Sequence, residues 1–147
     1  MREDGRDFSW LGAELLRTNA RQEPAERLRI LHDGVVAFLE EHRPEALAIE
    51  GQYFHRQRAA AHKVGQAVGV TLLAAAQLHI PVFEYGPLQV KQALVGTGRA
   101  DKNQVLYMVR ALLGPEAAGL SSHAGDALAL AITHLNARRL PAAAFGR

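Results

Sequence analysis

Glu50 closes the short apolar run Ala46-Leu47-Ala48-Ile49 and is followed by Gly51. Pro44 stops a preceding helix, and a run of this kind has the composition of a strand buried on both faces. A carboxylate at the carboxyl end of such a strand lies where open α/β sheets place their ligands. Alone it reads more readily as a solvated strand-end glutamate. His123 and Asp126, three residues apart at the start of the last helical stretch, project on neighbouring faces of that helix. Oxygen-rich sites suit Mg²⁺ or Mn²⁺, and an imidazole among the ligands tilts the choice toward Mn²⁺. A first-turn carboxylate favoured by the helix dipole, beside a surface histidine, explains the pair without any metal. Only a third donor, Glu50, would turn the two into a metal site.

Lys91, Arg99 and Lys102 flank Gly96-Thr97-Gly98. The loop lacks the G-x-x-x-x-G-K-[ST] spacing that cradles phosphates, so its interest lies in the flanking charge. Such a cluster suits a polyanion or is a solvated polar face. Tyr53 and Phe54, just past Glu50, have the chemistry to stack on unpaired bases; packing on the core as lid residues is the commoner use. Gly65 and Gly69, with Ala61 and Leu73 on the same helix row, admit a second backbone at close range. That backbone belongs to the chain's own sheet or, more sharply, to a second copy in a symmetric dimer.

These residues need elements to carry them. Glu3-Asp4-Gly5-Arg6-Asp7 reads as a turn, and Phe8 to Leu16 as a strand. Asp-Gly before a strand is a hairpin signal, yet Met1-Arg2 is too short to supply the other arm. The chain is expected to begin inside a supersecondary unit, or else with a frayed polar end. Pro24 opens a helix to His42, with Leu28, Leu31, Val35, Phe38 and Leu39 on one face. A long helix follows from about residue 55 to 78, basic at its start (His55, Arg56, Arg58, His62, Lys63) against the sense of the macrodipole. Residues 80–85 form a further strand, and Pro87 opens a short helix to Leu94. Asp101 caps a helix to Leu113 with Leu106, Val109 and Leu113 inward, and Gly114-Pro115 ends it. Ser121 or Ser122 caps the last helix, whose inward stripe is Ala124, Ala127, Leu128, Ala131 and Leu135, before a polar tail. The order β-α-β-α-β-α-α-α predicts a layered α/β fold.

A chain of 147 residues, 48% hydrophobic and 22% charged, has room for a single domain, 1–147, with the 1–6 turn and the 140–147 tail expected to be mobile. The absence of cysteine excludes disulfides and thiolate chemistry and suits a reducing compartment. The longest nearly apolar run, Val68 to Ala76, is too short to span a bilayer, and no signal-peptide pattern is evident, so a cytoplasmic protein without membrane partners is expected. Net charge is only +2, so a polyanionic partner rests on local clusters rather than on overall charge.

The chain resembles the RuvC family of Holliday junction resolvases from about Asp7 to Leu135. The resemblance rests on Ala48-Ile49-Glu50, Lys63-Val64-Gly65-Gln66-Ala67, Val82-Phe83-Glu84-Tyr85, Gln89-Val90-Lys91-Gln92, the run from Val95 to Lys102, and the run from His123 to His134. It implies a ribonuclease H-like mixed sheet flanked by helices. It also implies a homodimer that nicks two opposing strands of four-way DNA junctions in recombination and repair, using two Mg²⁺ or Mn²⁺ ions. By the same resemblance Glu50 and Asp126 match acidic metal ligands, and His123 falls where some members carry Asp and others His. Tyr53 falls at an aromatic that wedges into the opened junction. Lys91 and Lys102 match basic residues near the scissile phosphate, with Arg99 beside them on backbone phosphates. A branch-migration complex is a further implied partner.

One departure stands out. The family's first strand carries Gly-Ile-Asp-Pro-Gly, whose Asp is a central metal ligand, and the motif is absent here. Asp4 and Asp7 are poor substitutes, lying in a turn without an apolar strand before them. The chain is therefore expected to be an N-terminally short member that lacks the family's first strand and is weakly active or inactive. The alternative is a non-catalytic module that binds junction DNA. Four buried backbone groups left unpaired cost on the order of 4–12 kcal/mol at about 1–3 each, against a domain stability of roughly 5–15. The sheet is thus expected to close across the gap, or the protein to start further upstream.

Overall fold

The computed structural model describes residues 1–5, 7–51, 58–117 and 119–139; the side chains of 58–60 and 116 also lie outside that description. The described chain is α/β, with small sheets flanked by helices, and by its internal contacts it divides into two compact units. The first comprises Met1–Glu14, Ala48–Gly51 and Glu84–Arg147, the second Leu15–Leu47 and Gln52–Phe83.

The amino end corrects the sequence expectation. Strand β1 (Arg2–Asp4) pairs antiparallel with β2 (Asp7–Ser9) in the register Arg2↔Ser9, Glu3↔Phe8, Asp4↔Asp7. Met1-Arg2 therefore does begin a hairpin arm, and the turn uses Gly5 at φ 66°, a conformation that favours glycine. The strand expected over 8–16 ends at Ser9, because β1 offers only three residues of ladder. The hairpin is fastened to the far end of the chain. Arg139 is ion-paired with Glu3, donates to the Gly5 carbonyl at 2.9 Å, and lies 4.8 Å over the Phe8 ring.

In the second unit, helix α1 (Pro24–His42) starts on Pro24, as predicted, and stops where Arg43 turns left-handed (φ 42°) and donates its N–H to the Leu39 carbonyl. Arg29 bridges Glu26 and Asp33 on its solvent face. Helix α2 (Arg58–Gln77) packs on α1. His32 and Gln77 join them by a 2.8 Å hydrogen bond, while Leu39, Ala74 and Ala75 are buried. Leu16 closes over Gly34, where a built Cβ would meet its Cδ2 at 2.7 Å. Of the basic residues expected at the head of α2, His62 and Lys63 are exposed, whereas His55 and Arg56 lie outside the described residues, as does the Arg58 side chain.

Strand β3 (Leu47–Glu50) pairs with β4 (Val82–Tyr85). The bonds Leu47 N–H to Pro81 O (2.9 Å) and Gly51 N–H to Tyr85 O (3.0 Å) advance in the same sense along both, so the pair is parallel. One expectation fails at this point: Leu47, Ala48 and Ile49 are only half-buried, not enclosed on both faces. Among the described residues there are two separate two-stranded sheets, so β3 has a strand neighbour on one side only.

The main core lies in the first unit, among α3 (Pro87–Val95), α4 (Lys102–Leu113) and α5 (Ser122–Arg139). Leu94, Val105, Val109, Leu120, Leu128 and Ile132 form its centre, with Phe8 and Trp10 packed against it. The buried face of α5 runs through Gly125, Leu128, Ala129, Ile132, Thr133 and His134. It is turned from the predicted stripe: Ala127 is exposed, and a histidine and a threonine are inside. Each has a polar partner to offset its burial. The Tyr85 hydroxyl and His134 Nδ1 are 2.8 Å apart, and Thr133 donates to the Ala129 carbonyl.

Candidate functional site

The sequence-predicted residues that the structure describes all belong to the first unit. Glu50 is the last residue of β3 and is exposed at the strand's carboxyl end, the position expected for it. The next peptide is held by the Gly51–Tyr85 bond, and the chain beyond β4 turns at once into α3, where the Gln89 side chain accepts from the Gly86 N–H at 2.7 Å. Lys91 stands half-buried on α3, one turn in. Gly96, at φ 80°, ends α3 by donating to the Gln92 carbonyl, and the loop beyond is braced by the Arg99 N–H on Thr97 Oγ1. Arg99 itself is exposed. Neither Lys91 nor Arg99 makes an ion pair among the described residues.

Helix α4 begins with a reciprocal cap. Asp101 accepts from the Gln104 N–H at 2.9 Å, and Gln104 Oε1 accepts from the Asp101 N–H at 2.8 Å. That cap fixes the first helical residue, Lys102, whose Nζ donates to Asp126 Oδ2 at 2.8 Å. On α5, Ser121 Oγ accepts the Ala124 N–H, confirming Ser121 as the cap and setting His123 and Asp126 in the first turns, both exposed. Gly125, between them, is buried against α4, and a Cβ there would lie 2.5 Å from Leu106 Cδ1. The glycine thus lets α5 approach α4 closely enough for Asp126 to meet Lys102.

The expected metal ligands are not drawn together. Among the described residues no three His, Asp or Glu side chains gather as a group able to hold a metal ion, so Glu50, His123 and Asp126 do not form one. The charge on Asp126 is answered by Lys102 instead. Two carboxylates and an imidazole are ligand types that suit Mg²⁺ or Mn²⁺, but a further donor would be needed to complete a site from them. Tyr53, the predicted stacking residue, lies outside the described residues, as does Phe54.

Sequence reasoning missed four supporting residues. Gly125 had a signal, since a glycine inside a helical pattern needs a packing reason. Gln104 had another, three residues after Asp101 in capping-box spacing. Tyr85 and His134 had none, being 49 residues apart in the chain. Burial holds the His134 pKa below its usual value, with Arg138 adding to the effect, and burial raises that of Tyr85.

The α/β arrangement, small sheets flanked by helices, is that of a ribonuclease H-like fold. The family model described as "Crossover junction endodeoxyribonuclease RuvC" matches residues 1–134. The chain is 47% identical over 124 residues to the Crossover junction endodeoxyribonuclease RuvC of Thermus thermophilus, covering 84% of this chain and 75% of that protein. It is 47% identical over 130 residues to that of Pelotomaculum thermopropionicum, covering 88% and 79%. The solved structure of T. thermophilus RuvC in complex with Holliday junction substrate superposes with a TM-score of 0.83 at 46% identity, over 88% of this chain and 78% of that one. The chain belongs to the RuvC family of crossover junction endodeoxyribonucleases.

Proposed function

We propose that this protein recognises four-way DNA junctions as a homodimer, and that its first unit carries the residues that meet the DNA phosphates. The observation that carries the reading is the grouping of Lys102 with Asp126 at the helix starts, in a chain that also bears Glu50, Lys91 and Arg99 in the same unit. Lys102 is placed to transfer its charge from Asp126 to a phosphate oxygen and to stabilise the charge that develops there. Lys91 and Arg99, without carboxylate partners among the described residues, suit backbone phosphates; Tyr53 is proposed to stack at the branch point. Glu50, His123 and Asp126 are proposed to hold Mg²⁺ or Mn²⁺ only together with a further donor, the role the resemblance gives to the Gly-Ile-Asp-Pro-Gly aspartate. The 147 residues taken alone should accordingly bind junctions and cut them weakly, as a junction endonuclease short of one ligand; a module that binds junctions without cutting is the alternative.

The dimer contact is assigned to α2. Gly65 and Gly69 are exposed, and a Cβ at either would have nothing within 4 Å; Val64 and Leu73 are exposed nearby. A second copy would cover this strip. No helix among the described residues is long and apolar enough to cross a membrane, and a cytoplasmic location, with a branch-migration complex as a further partner, belongs to the same proposal. The test incubates the chain with a labelled four-way junction and a linear duplex of equal length, with and without Mg²⁺ or Mn²⁺. Junction-selective binding with little incision is expected; equal affinity for both DNAs would overturn the reading. The salt dependence of junction binding should lose about 0.9 in log–log slope for each of Lys91→Ala and Arg99→Ala.

A further inference from the structure

Leu88 is 69% exposed, although it is a leucine in a helix that borders the main core. It is the second residue of α3, immediately after the turn that leaves β4, and Pro87 and Gln89 beside it are exposed too. One flank is supported. The loop carrying Arg99 comes up against Leu88 at Gly98, where a Cβ would lie 3.3 Å from Leu88 Cδ2, so the glycine makes room for the leucine on that side. Lys91 lies three residues further along α3, on the same side of the helix as Leu88. An exposed apolar side chain thus shares a helix side with Lys91 and touches the loop that carries Arg99, two cations that have no ion-pair partner among the described residues.

A single exposed leucine on a protein surface is ordinary. A leucine braced by a glycine loop, with Lys91 on its helix and Arg99 on that loop, is different, because the charges suit a polyanion and the bases of a nucleic acid give that polyanion an apolar interior. Bases at an opened step present such surface, and leucine is among the side chains that insert there. From this geometry we infer that Leu88 is a second wedge, which lies against an unstacked base at the branch point while Lys91 and Arg99 hold the adjoining phosphates. The inference rests on the junction-binding reading above and adds a contact to it. Leu88 is a positioning residue, touching bases rather than the reacting phosphate.

The experiment uses the full 147-residue chain without divalent metal, so that no strand is cut. The probes are a four-way junction carrying 2-aminopurine at the branch point and a linear duplex of the same sequence. Leu88→Ala should weaken junction binding about five- to tenfold, the loss expected from half of a leucine's burial, and should reduce the fluorescence rise on binding. Duplex affinity should stay within about twofold of the parent. Leu88→Met should restore both junction affinity and fluorescence, which a role in folding alone would not explain. If the parent prefers the junction and Leu88→Ala prefers it equally, with the same fluorescence, the wedge is refuted while the junction reading stands. A loss shared equally between junction and duplex also refutes it. If the parent itself fails to distinguish the two DNAs, the junction reading falls and the wedge with it.

Discussion

Gly125→Ala tests whether the close approach of α5 to α4 is what assembles the site. A Cβ at residue 125 would lie 2.5 Å from Leu106 Cδ1, whereas ordinary carbon–carbon contact is about 3.5–4.0 Å. One of the two must therefore move by roughly 1.0–1.5 Å. Overpacking of this kind costs about 1–3 kcal/mol, and the gain in helix propensity from Gly to Ala offsets about 1. The net expectation is a loss of roughly 0–2 kcal/mol, a fall of up to about 8 °C in Tm for a chain of this size. Because Asp126 is the next residue and its partner Lys102 is on the helix being pushed, the weak junction incision expected of this chain should fall further, by as much as about 100-fold, the penalty of a 1 Å misplacement. Thermal unfolding followed by circular dichroism, in a double-mutant cycle with Leu106→Ala, separates the terms. In the Leu106→Ala background Gly125→Ala should become neutral or stabilising by about 1 kcal/mol, since only the propensity term is left. Should Gly125→Ala stabilise the parent and the Leu106→Ala chain alike, Leu106 swings aside freely and the packing argument is wrong.

Tyr85→Phe removes the hydroxyl 2.8 Å from buried His134 Nδ1 and should cost about 1–3 kcal/mol in urea unfolding; a change below experimental error would show that the bond contributes nothing. Lys102→Ala should shift stability by less than about 1 kcal/mol, since its pair with Asp126 is exposed on both sides, yet lower incision at least tenfold; equal cutting by the variant would remove Lys102 from the site. The two histidines that join elements should respond to pH in opposite senses. The pKa of His134 is depressed in the folded chain, so its stabilisation is present above the usual value of 6.5 and is lost as pH falls through the folded value. That of His32 is raised by its bonds to Gln77 and Asp33, so its contribution is present below 6.5 and is lost as pH rises through the folded value. His32→Gln should therefore leave a chain whose Tm declines more steeply toward acid than the parent's, measured between pH 5 and 8; a flatter decline would contradict the assignment.

What could be read from the sequence follows the range of the interactions involved. Pro24, Gly96, Asp101, Gly114 and Ser121 act within a turn of themselves, and each marks an observed helix end. Placement of Glu50 at a strand tip and of His123 and Asp126 at a helix start needed only such local signals. Pairing was harder. Three residues proved sufficient for a hairpin arm because Arg139, from the opposite end of the chain, holds Glu3 and Gly5. The inward face of α5 was misjudged because its apolar pattern is weak: Gly125, Thr133 and His134 are buried by packing and by Tyr85, not by hydrophobicity. The grouping of Glu50, His123 and Asp126 was inferred from ligand chemistry and from the family resemblance, neither of which fixes distances, and the structure pairs Asp126 with Lys102.

The functional residues are thus held by short polar devices rather than by one deep pocket. The Asp101–Gln104 cap orients Lys102, the Gly125 contact sets the distance from α4 to Asp126, and the Gln89–Gly86 bond starts the helix that bears Leu88 and Lys91. Each side chain so placed is exposed or half-buried, which suits a ligand that approaches as a broad charged surface and not as a small molecule to be enclosed. Exposure also explains why the pair Lys102–Asp126 can yield. An exposed ion pair contributes at most about 1 kcal/mol, so a phosphate or a cation has little to displace when it takes either partner. A buried pair at the same place would leave an uncompensated charge when broken, at a cost of about 3–5 kcal/mol. On the proposed reading, the weakness of the contact is what would let one lysine neutralise the carboxylate in the free protein and pass to a phosphate when DNA binds.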